Sequence, residues 1–255
     1  MLELAMKKLL ILGRFVNEYE PVRLKEAGEE AGFWVDIIKY GQVSLGVTEG
    51  KTVVDLGKGR KLSDYSRVVL RAASKKGSSM VGVKDVILRQ LQSLQNIKVL
   101  NLESFSRYPL LGKMEQGVML AGAGLPTVDY VTFGSKKGWR SFRQHPPFAF
   151  PMVIKGRFGS HGRMVKLCNN WEEFEEMFAQ YKEGAVLVQP KLKVKQWYRT
   201  IVIGGKYLGE MRHRQKEKYG GEKGTLLKLV EGKMYKLKEL SERAVKLFNC
   251  DYAGL

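Results

Sequence analysis

The sequence predicts an α/β fold that passes into α+β character in its second half, and three observations carry that reading. Strand-like and helix-like segments alternate from residue 7 to residue 110. After residue 150, apolar strand-like runs follow one another across polar, Gly-rich loops. The composition is that of a globular chain: 255 residues, 44% hydrophobic, with only 7 Pro. Strands alternating with helices imply a mostly parallel sheet with helices on its faces.

In the first half, residues 8–12 form a short apolar run ending at Gly13, a strand entering a loop. Pro21 opens and Gly32 closes a helix, the usual asymmetry of helix ends. Residues 33–40 are β-branched and aromatic, a second strand. Residues 52–56 and 67–70 supply further strands. Val83, Val86, Ile87, Leu91 and Leu94 fall at helical spacing, and residues 97–100 return to strand. No G-x-G-x-x-G follows the first strand, so this half gives no positive sign of a dinucleotide site.

In the second half, residues 110–124 predict a helix with Lys113 in its first turn and Pro126 just past its end. Residues 128–133 read as a strand and the Pro-rich stretch 135–151 as a surface connection. Residues 152–155 and 163–167 look like a hairpin across a loop of small residues. Asn170 caps a helix at 171–181 whose first turns carry Glu172, Glu173, Glu175 and Glu176, which suits the helix dipole. Strands follow at 185–189, 199–203 and 206–211, then a polar loop at 216–224 expected to be mobile, and a last helix at 240–248. The reading divides the chain into residues 1–109 and 110–255, the latter into 110–184 and 185–255.

The formal net charge is +18. Residues 1–110 hold 18 Lys+Arg against 12 Asp+Glu, and residues 111–255 hold 26 against 14, so the excess is weighted to the second half. Residues 189–238 alone carry 14 bases and 4 acids. Such a balance suits anionic partners: nucleotides, RNA, acidic peptides or a ribosomal surface. No apolar run reaches the roughly 18 residues of a membrane helix. The start lacks the ordered parts of a signal peptide, and Met6 is an alternative first residue. Cys168 and Cys250 give neither metal-ligand spacing nor a disulfide framework. A cytoplasmic protein is expected.

The strongest local signal runs from Ile154 through Lys155 and Gly156 to Gly159, Ser160, His161 and Gly162. A Gly/Ser loop lets backbone N–H groups approach phosphate oxygens, and a lysine leading into it can neutralise their charge. No G-K-[ST] closes the loop, so it is not a Walker loop, and a plain hairpin turn stays open. Upstream lie Gly112-Lys113 and, at the helix end, Gly124-Leu125-Pro126-Thr127. Downstream come Val188-Gln189-Pro190-Lys191-Leu192, then Arg199-Thr200-Ile201-Val202-Ile203-Gly204-Gly205, then Glu210-Met211-Arg212-His213-Arg214.

This order of motifs resembles the ATP-grasp superfamily, and within it the RimK-type glutamate ligases. The resemblance covers nearly the whole chain. It implies a pre-ATP-grasp parallel-sheet domain followed by an ATP-grasp domain lacking its last strands. It implies ATP as cofactor, with Lys113 and Lys155 on its phosphates. Gly159, Ser160 and Gly162 would form a flap over them, and the backbone of Gln189, Pro190, Lys191 and Leu192 would meet the adenine edge. Arg199, Arg212 and Arg214 would face the substrate carboxylate or the acyl phosphate made from it, since a guanidinium donates two hydrogen bonds at once. The implied activity joins an acidic small molecule or peptide acceptor to an amino acid, glutamate above all. The rival is a catalytically incomplete ATP- or RNA-binding module with a basic face.

Three departures stand out. Pro190 replaces a usual Glu, and Trp197 stands where an acidic ribose partner is common. The residues that hold Mg2+ in the family are absent up to Leu255, so metal ligands are expected beyond residue 255 of a fragment, or lost in a degenerate member. Among other residues, Arg71 ends a predicted strand where it could assist a substrate. Glu210 reads as structural or functional. His145 and His161 read as surface, and Trp34, Trp139, Trp171 and Trp197 mainly as packing.

Overall fold

A computed structural model describes residues 6–71, 80–158, 165–181, 186–194, 196–214, 229–230 and 235–255, with the backbone alone at 136, 213, 214, 229, 230 and 235. The chain divides into two compact units: Met1–Pro109 with Asn249–Asp251, and Leu110–Phe248 with Tyr252–Leu255.

The first unit is the α/β layer that strand–helix alternation predicts. Strands β1 (Lys8–Gly13), β2 (Trp34–Lys39), β5 (Arg67–Leu70) and β6 (Lys98–Leu100) form a parallel sheet in the order β2-β1-β5-β6. Helices α1 (Tyr19–Glu30), α2 (Met80–Gln92) and the short α3 (Leu102–Arg107) accompany it. β1 is central and covered on both faces, which is why Leu10, Ile11 and Leu12 are an unbroken apolar run, each wholly buried. A side chain at Gly28 of α1 would come within 2.8 Å of Leu9 and Val35, so the helix lies on the sheet only because that residue is glycine. A hairpin unforeseen in its first strand, β3 (Ser44–Thr48) with β4 (Lys51–Asp55), packs Leu45 and Val54 onto the same core. Within this unit the segment Asn249–Asp251 is clasped to the start of α3. The backbone N–H of Asn101 donates to Asp251 at 2.7 Å and that of Asp251 to Asn101 Oδ1 at 2.6 Å.

The second unit holds helix α4 (Lys113–Gly122), an antiparallel sheet β7-β10-β8-β9, and a second antiparallel sheet β13-β12-β11-β14. The first sheet comprises β7 (Val131–Thr132), β8 (Met152–Gly156), β9 (Val165–Cys168) and β10 (Val186–Pro190). The second comprises β11 (Gln196–Ile203), β12 (Lys206–Arg214), β13 (Leu229–Val230) and β14 (Tyr252–Gly254). The expected surface connection at 135–151 is a correction: it contains helix α5 (Lys136–Gln144). Its Trp139 and Phe142 enter an aromatic cluster with Phe133, Phe174 and Phe178, and the Trp139 ring stacks on Phe174 at 4.9 Å. Four basic residues and a glycine inside α5 hid the apolar pair that makes it a helix. Helix α6 (Trp171–Ala179) starts as expected, with Asn170 Oδ1 accepting from the N–H of Glu173 at 2.9 Å. Helix α7 (Tyr235–Leu247) lies against β11 and β12; its Ser241 hydroxyl donates to Thr200 at 2.8 Å. The expected mobile loop at 216–224 lies outside the described residues.

Candidate active site

Lys113 is the first residue of α4, and its placement depends on what flanks it. Gly112 caps the helix, and its N–H donates to the Glu115 carboxylate at 3.1 Å. A side chain at Gly112 would fall 2.8 Å from that carboxylate and 2.9 Å from Phe158, so only glycine admits this approach. Glu115 is also ion-paired with Arg157, just past the end of β8. Two further bonds tie α4 to the same strand end. The backbone N–H of Lys113 donates to Arg157 O at 3.1 Å, and its ammonium to Gly156 O at 3.4 Å.

Lys155 sits in the middle strand of this arrangement, opposite Leu187 of β10 and Val165 of β9. Half-burial holds its ammonium below the ordinary lysine range, and the charge of Lys113 lowers it further. Burial likewise lowers Lys113. Two lysines 42 positions apart in sequence are thus brought within electrostatic reach of each other, in a setting that disfavours both charges. An anion placed between them would relieve that penalty.

The rest of the predicted site divides clearly. Gly159, Ser160 and Gly162, with His161, lie outside the described residues. Gln189 and Pro190 are half-buried at the end of β10, opposite Val153 and Met152. Proline has no N–H, and the N–H of Lys191 is donated to Pro151 O at 3.1 Å. Lys191 and Pro151 are thus a bonded pair of the β10–β8 ladder and so, two residues back, are Gln189 and Val153, which turns the backbone groups of Gln189 toward β8.

Two of the three arginines, Arg199 and Arg212, do not share a face. Arg199 on β11 is opposite Met211, and Arg212 on β12 is opposite Tyr198. Side chains alternate along a strand, so Arg199 and Arg212 point to opposite faces of the sheet. Arg212 shares its phase with Glu210 and Thr200, the side on which Ser241 of α7 is bonded. Arg199 occupies the other face, and a side chain at Gly254 of β14 would lie 3.1 Å from its guanidinium nitrogens. Gly254 therefore makes room for Arg199. Sequence reasoning passed over Gly254 because its role depends on strand pairing. It also passed over Glu115, whose position three residues after Gly112 was the available signal. For Arg214, which ends β12 opposite Gln196, only the backbone is described.

Glu210 is 3% exposed and its Oε2 atom has no hydrogen-bond partner among the described residues. Arg71 belongs to the first unit, where it pairs with Glu20 at 3.5 Å and its carbonyl accepts from the Tyr40 hydroxyl at 3.0 Å. Among the described residues no group of three or more His, Cys, Asp or Glu is placed to hold a metal ion. No helix among them is long and apolar enough to cross a membrane.

Comparison with known proteins agrees with this geometry. Residues 112–255 match the RimK-like ATP-grasp domain. A protein of Vibrio parahaemolyticus named "Probable alpha-L-glutamate ligase" is 25% identical over 223 residues, covering 82% of this chain and 68% of its own length. The ATP-grasp ligase PsnB, solved with a precursor variant, Mg and ADP, superposes with a TM-score of 0.71 at 16% identity, over 98% of this chain and 85% of its own. A RimK domain ATP-grasp protein of Sphaerobacter thermophilus superposes with a TM-score of 0.61 at 19% identity, over 94% of this chain and 82% of its own.

Proposed function

This chain belongs to the RimK-like ATP-grasp family, and we propose that it joins a carboxylate to an amine through an acyl phosphate, adding glutamate or a similar amino acid to a protein or small-molecule acceptor. The general class, an ATP-dependent ligase that forms C–N bonds, follows from the family. The nucleotide part of this reading is supported by one observation, two partly buried lysines near enough for the charge of one to act on the other; glutamate is taken from the names of the relatives.

When bound, ATP supplies the phosphoryl group that activates the carboxylate. The residues of the chain position and neutralise. Lys113 and Lys155 take the phosphate charge, and the Glu115–Arg157 pair locks α4 to β8 so that the two ammonium groups stay in register. The hinge from Gln189 to Leu192 at the end of β10 would lie along the edge of the base. Arg199 presents a planar donor fork to a carboxylate on the open face of its sheet. Arg212, on the other face, is assigned to holding an acceptor outside that immediate site. Magnesium is expected in the reaction by analogy with PsnB, but the described residues do not supply a ligand set, and no step is assigned to it. The basic surplus of the second half suits an acidic acceptor; RNA or a ribosomal protein is the alternative anionic partner.

The test is calorimetric titration of ATP into the chain, followed by an assay of ADP release with glutamate present and absent. Lys155→Ala is expected to weaken ATP binding by about a hundredfold or more. ATP affinity unchanged by Lys155→Ala refutes the phosphate role of the pair. ATP binding without any glutamate-dependent ADP release favours the incomplete binding module.

A further inference from the structure

The hairpin β3–β4 of the first unit is a two-stranded sheet. Its turn is Glu49 and Gly50, both at positive φ, 51° and 73°, the type I′ geometry that matches strand twist. In such a hairpin the pair flanking the turn, Thr48 and Lys51, exchanges hydrogen bonds, and the bonded and non-bonded pairs alternate from there. Val53 with Gly46 and Asp55 with Ser44 are thus bonded pairs, whereas Thr52 and Val54 face Val47 and Leu45 in non-bonded ones. The N–H and C=O groups of Thr52 and Val54 consequently point away from β3, along the other edge of β4. No strand pairs with that edge among the described residues.

A groove of about 610 Å³ lies there, and all five residues of β4 line it. Their side chains alternate between two faces, so only the edge of the strand presents five in succession. Leu62 and Leu94 form an apolar wall, and the lining cations Lys51, Arg60 and Lys61 outnumber the one acid, Asp55. Arg60 is already held by Asp36 at 3.2 Å, which leaves Lys51 and Lys61 as the recruiting charges. Val53 is 43% exposed, because Gly46 opposite it has no side chain to cover it.

We propose that this edge binds an extended acidic peptide as a third strand. The backbone of Thr52 and Val54 would pair with it, alternate apolar side chains would fill the groove against Leu62 and Leu94, and acidic ones would meet Lys51 and Lys61. The site lies wholly within the first unit and needs no nucleotide, so it stands or falls separately from the ligase reading.

The experiment uses the full chain without ATP and a fluorescein-labelled peptide, Glu-Val-Glu-Val-Glu-Val-Glu, followed by anisotropy. Saturable binding is expected, with slowed hydrogen exchange at the Thr52 and Val54 amides. Thr52→Pro deletes one outward N–H without touching the β3 ladder, and is expected to weaken binding at least about tenfold. Lys51→Glu with Lys61→Glu is expected to do the same, and a Lys-Val peptide is expected not to bind. Absence of saturable binding, equal binding of the Lys-Val peptide, or unchanged exchange at Thr52 and Val54 in the wild type would each overturn the proposal. Self-association of the chain that Thr52→Pro abolishes would assign the edge to a second copy instead. Should Thr52→Pro fail to fold, the double charge variant and wild-type exchange still decide.

Discussion

Lys84 in the first unit and Lys155 in the second are both lysines held out of water, for different reasons. The Lys84 ammonium lies 3.3 Å from the centre of the Phe105 ring, and burial alone lowers its pKa to about 8. Lys155 is lowered by burial and then by a second cation, Lys113. The ring face gives Lys84 a partner inside its own unit, so its site is complete. Lys113 and Lys155 set two like charges near each other, an arrangement that an anion would favour. Burial by itself does not mark a functional lysine; burial beside a like charge makes it a stronger candidate.

The largest effect should come from breaking that pair. Lys155→Ala is expected to cut ATP affinity by about a hundredfold or more, measured by calorimetry, because a half-buried charge-assisted contact to phosphate is lost. Lys84→Ala should leave ATP affinity unchanged. A comparable loss there would erase the distinction between the two lysines.

Lys84→Met sharpens the same comparison through stability. A pKa lowered from 10.5 to about 8 corresponds to roughly 3.5 kcal/mol at about 1.4 kcal/mol per unit, of which about 1 is returned by the ring contact that methionine loses. A net gain of about 2.5 kcal/mol at pH 7 is therefore expected from urea unfolding. Because the folded pKa lies below the unfolded one, the wild-type cost is full below pH 8 and fades as pH rises from about 8 to 10.5. The advantage of Lys84→Met should shrink over that window, and a pH-independent gain would contradict it.

Smaller effects test the supports. Gly254→Ala places a methyl where Arg199 lies 3.1 Å away, and about a tenfold loss in turnover is expected with the melting temperature little changed. Glu115→Gln removes the charge that holds Arg157 and is expected to cost about 0.5–1 kcal/mol in thermal unfolding. It should also weaken ATP modestly, since α4 loses one tie to β8.

Much of this was legible in the sequence. Lys113 and Lys155 could be named because glycine-flanked lysines in that order form a recognisable set, and the parallel sheet followed from alternation. Helix α5 was hidden because Gly138 and the prolines at 146, 147 and 151 outweighed Trp139 and Phe142. The arginines could not be sorted by face, because spacing within one strand says nothing of the phase of its neighbour. Only the pairing of Arg199 with Met211 and Arg212 with Tyr198 separates them.

The sequence alone, then, determined the fold class, because periodicity is a local property of the chain, and the order of its motifs singled out Lys113 and Lys155. The tertiary structure decided what those residues do to one another. It brought Lys113 to the end of β8, spent the Lys191 N–H on Pro151, gave Arg199 its room at Gly254 and left the edge of β4 without a paired strand among the described residues. Each of these depends on strand register and on contacts between residues tens of positions apart, where a shift of one residue reverses the face a side chain presents.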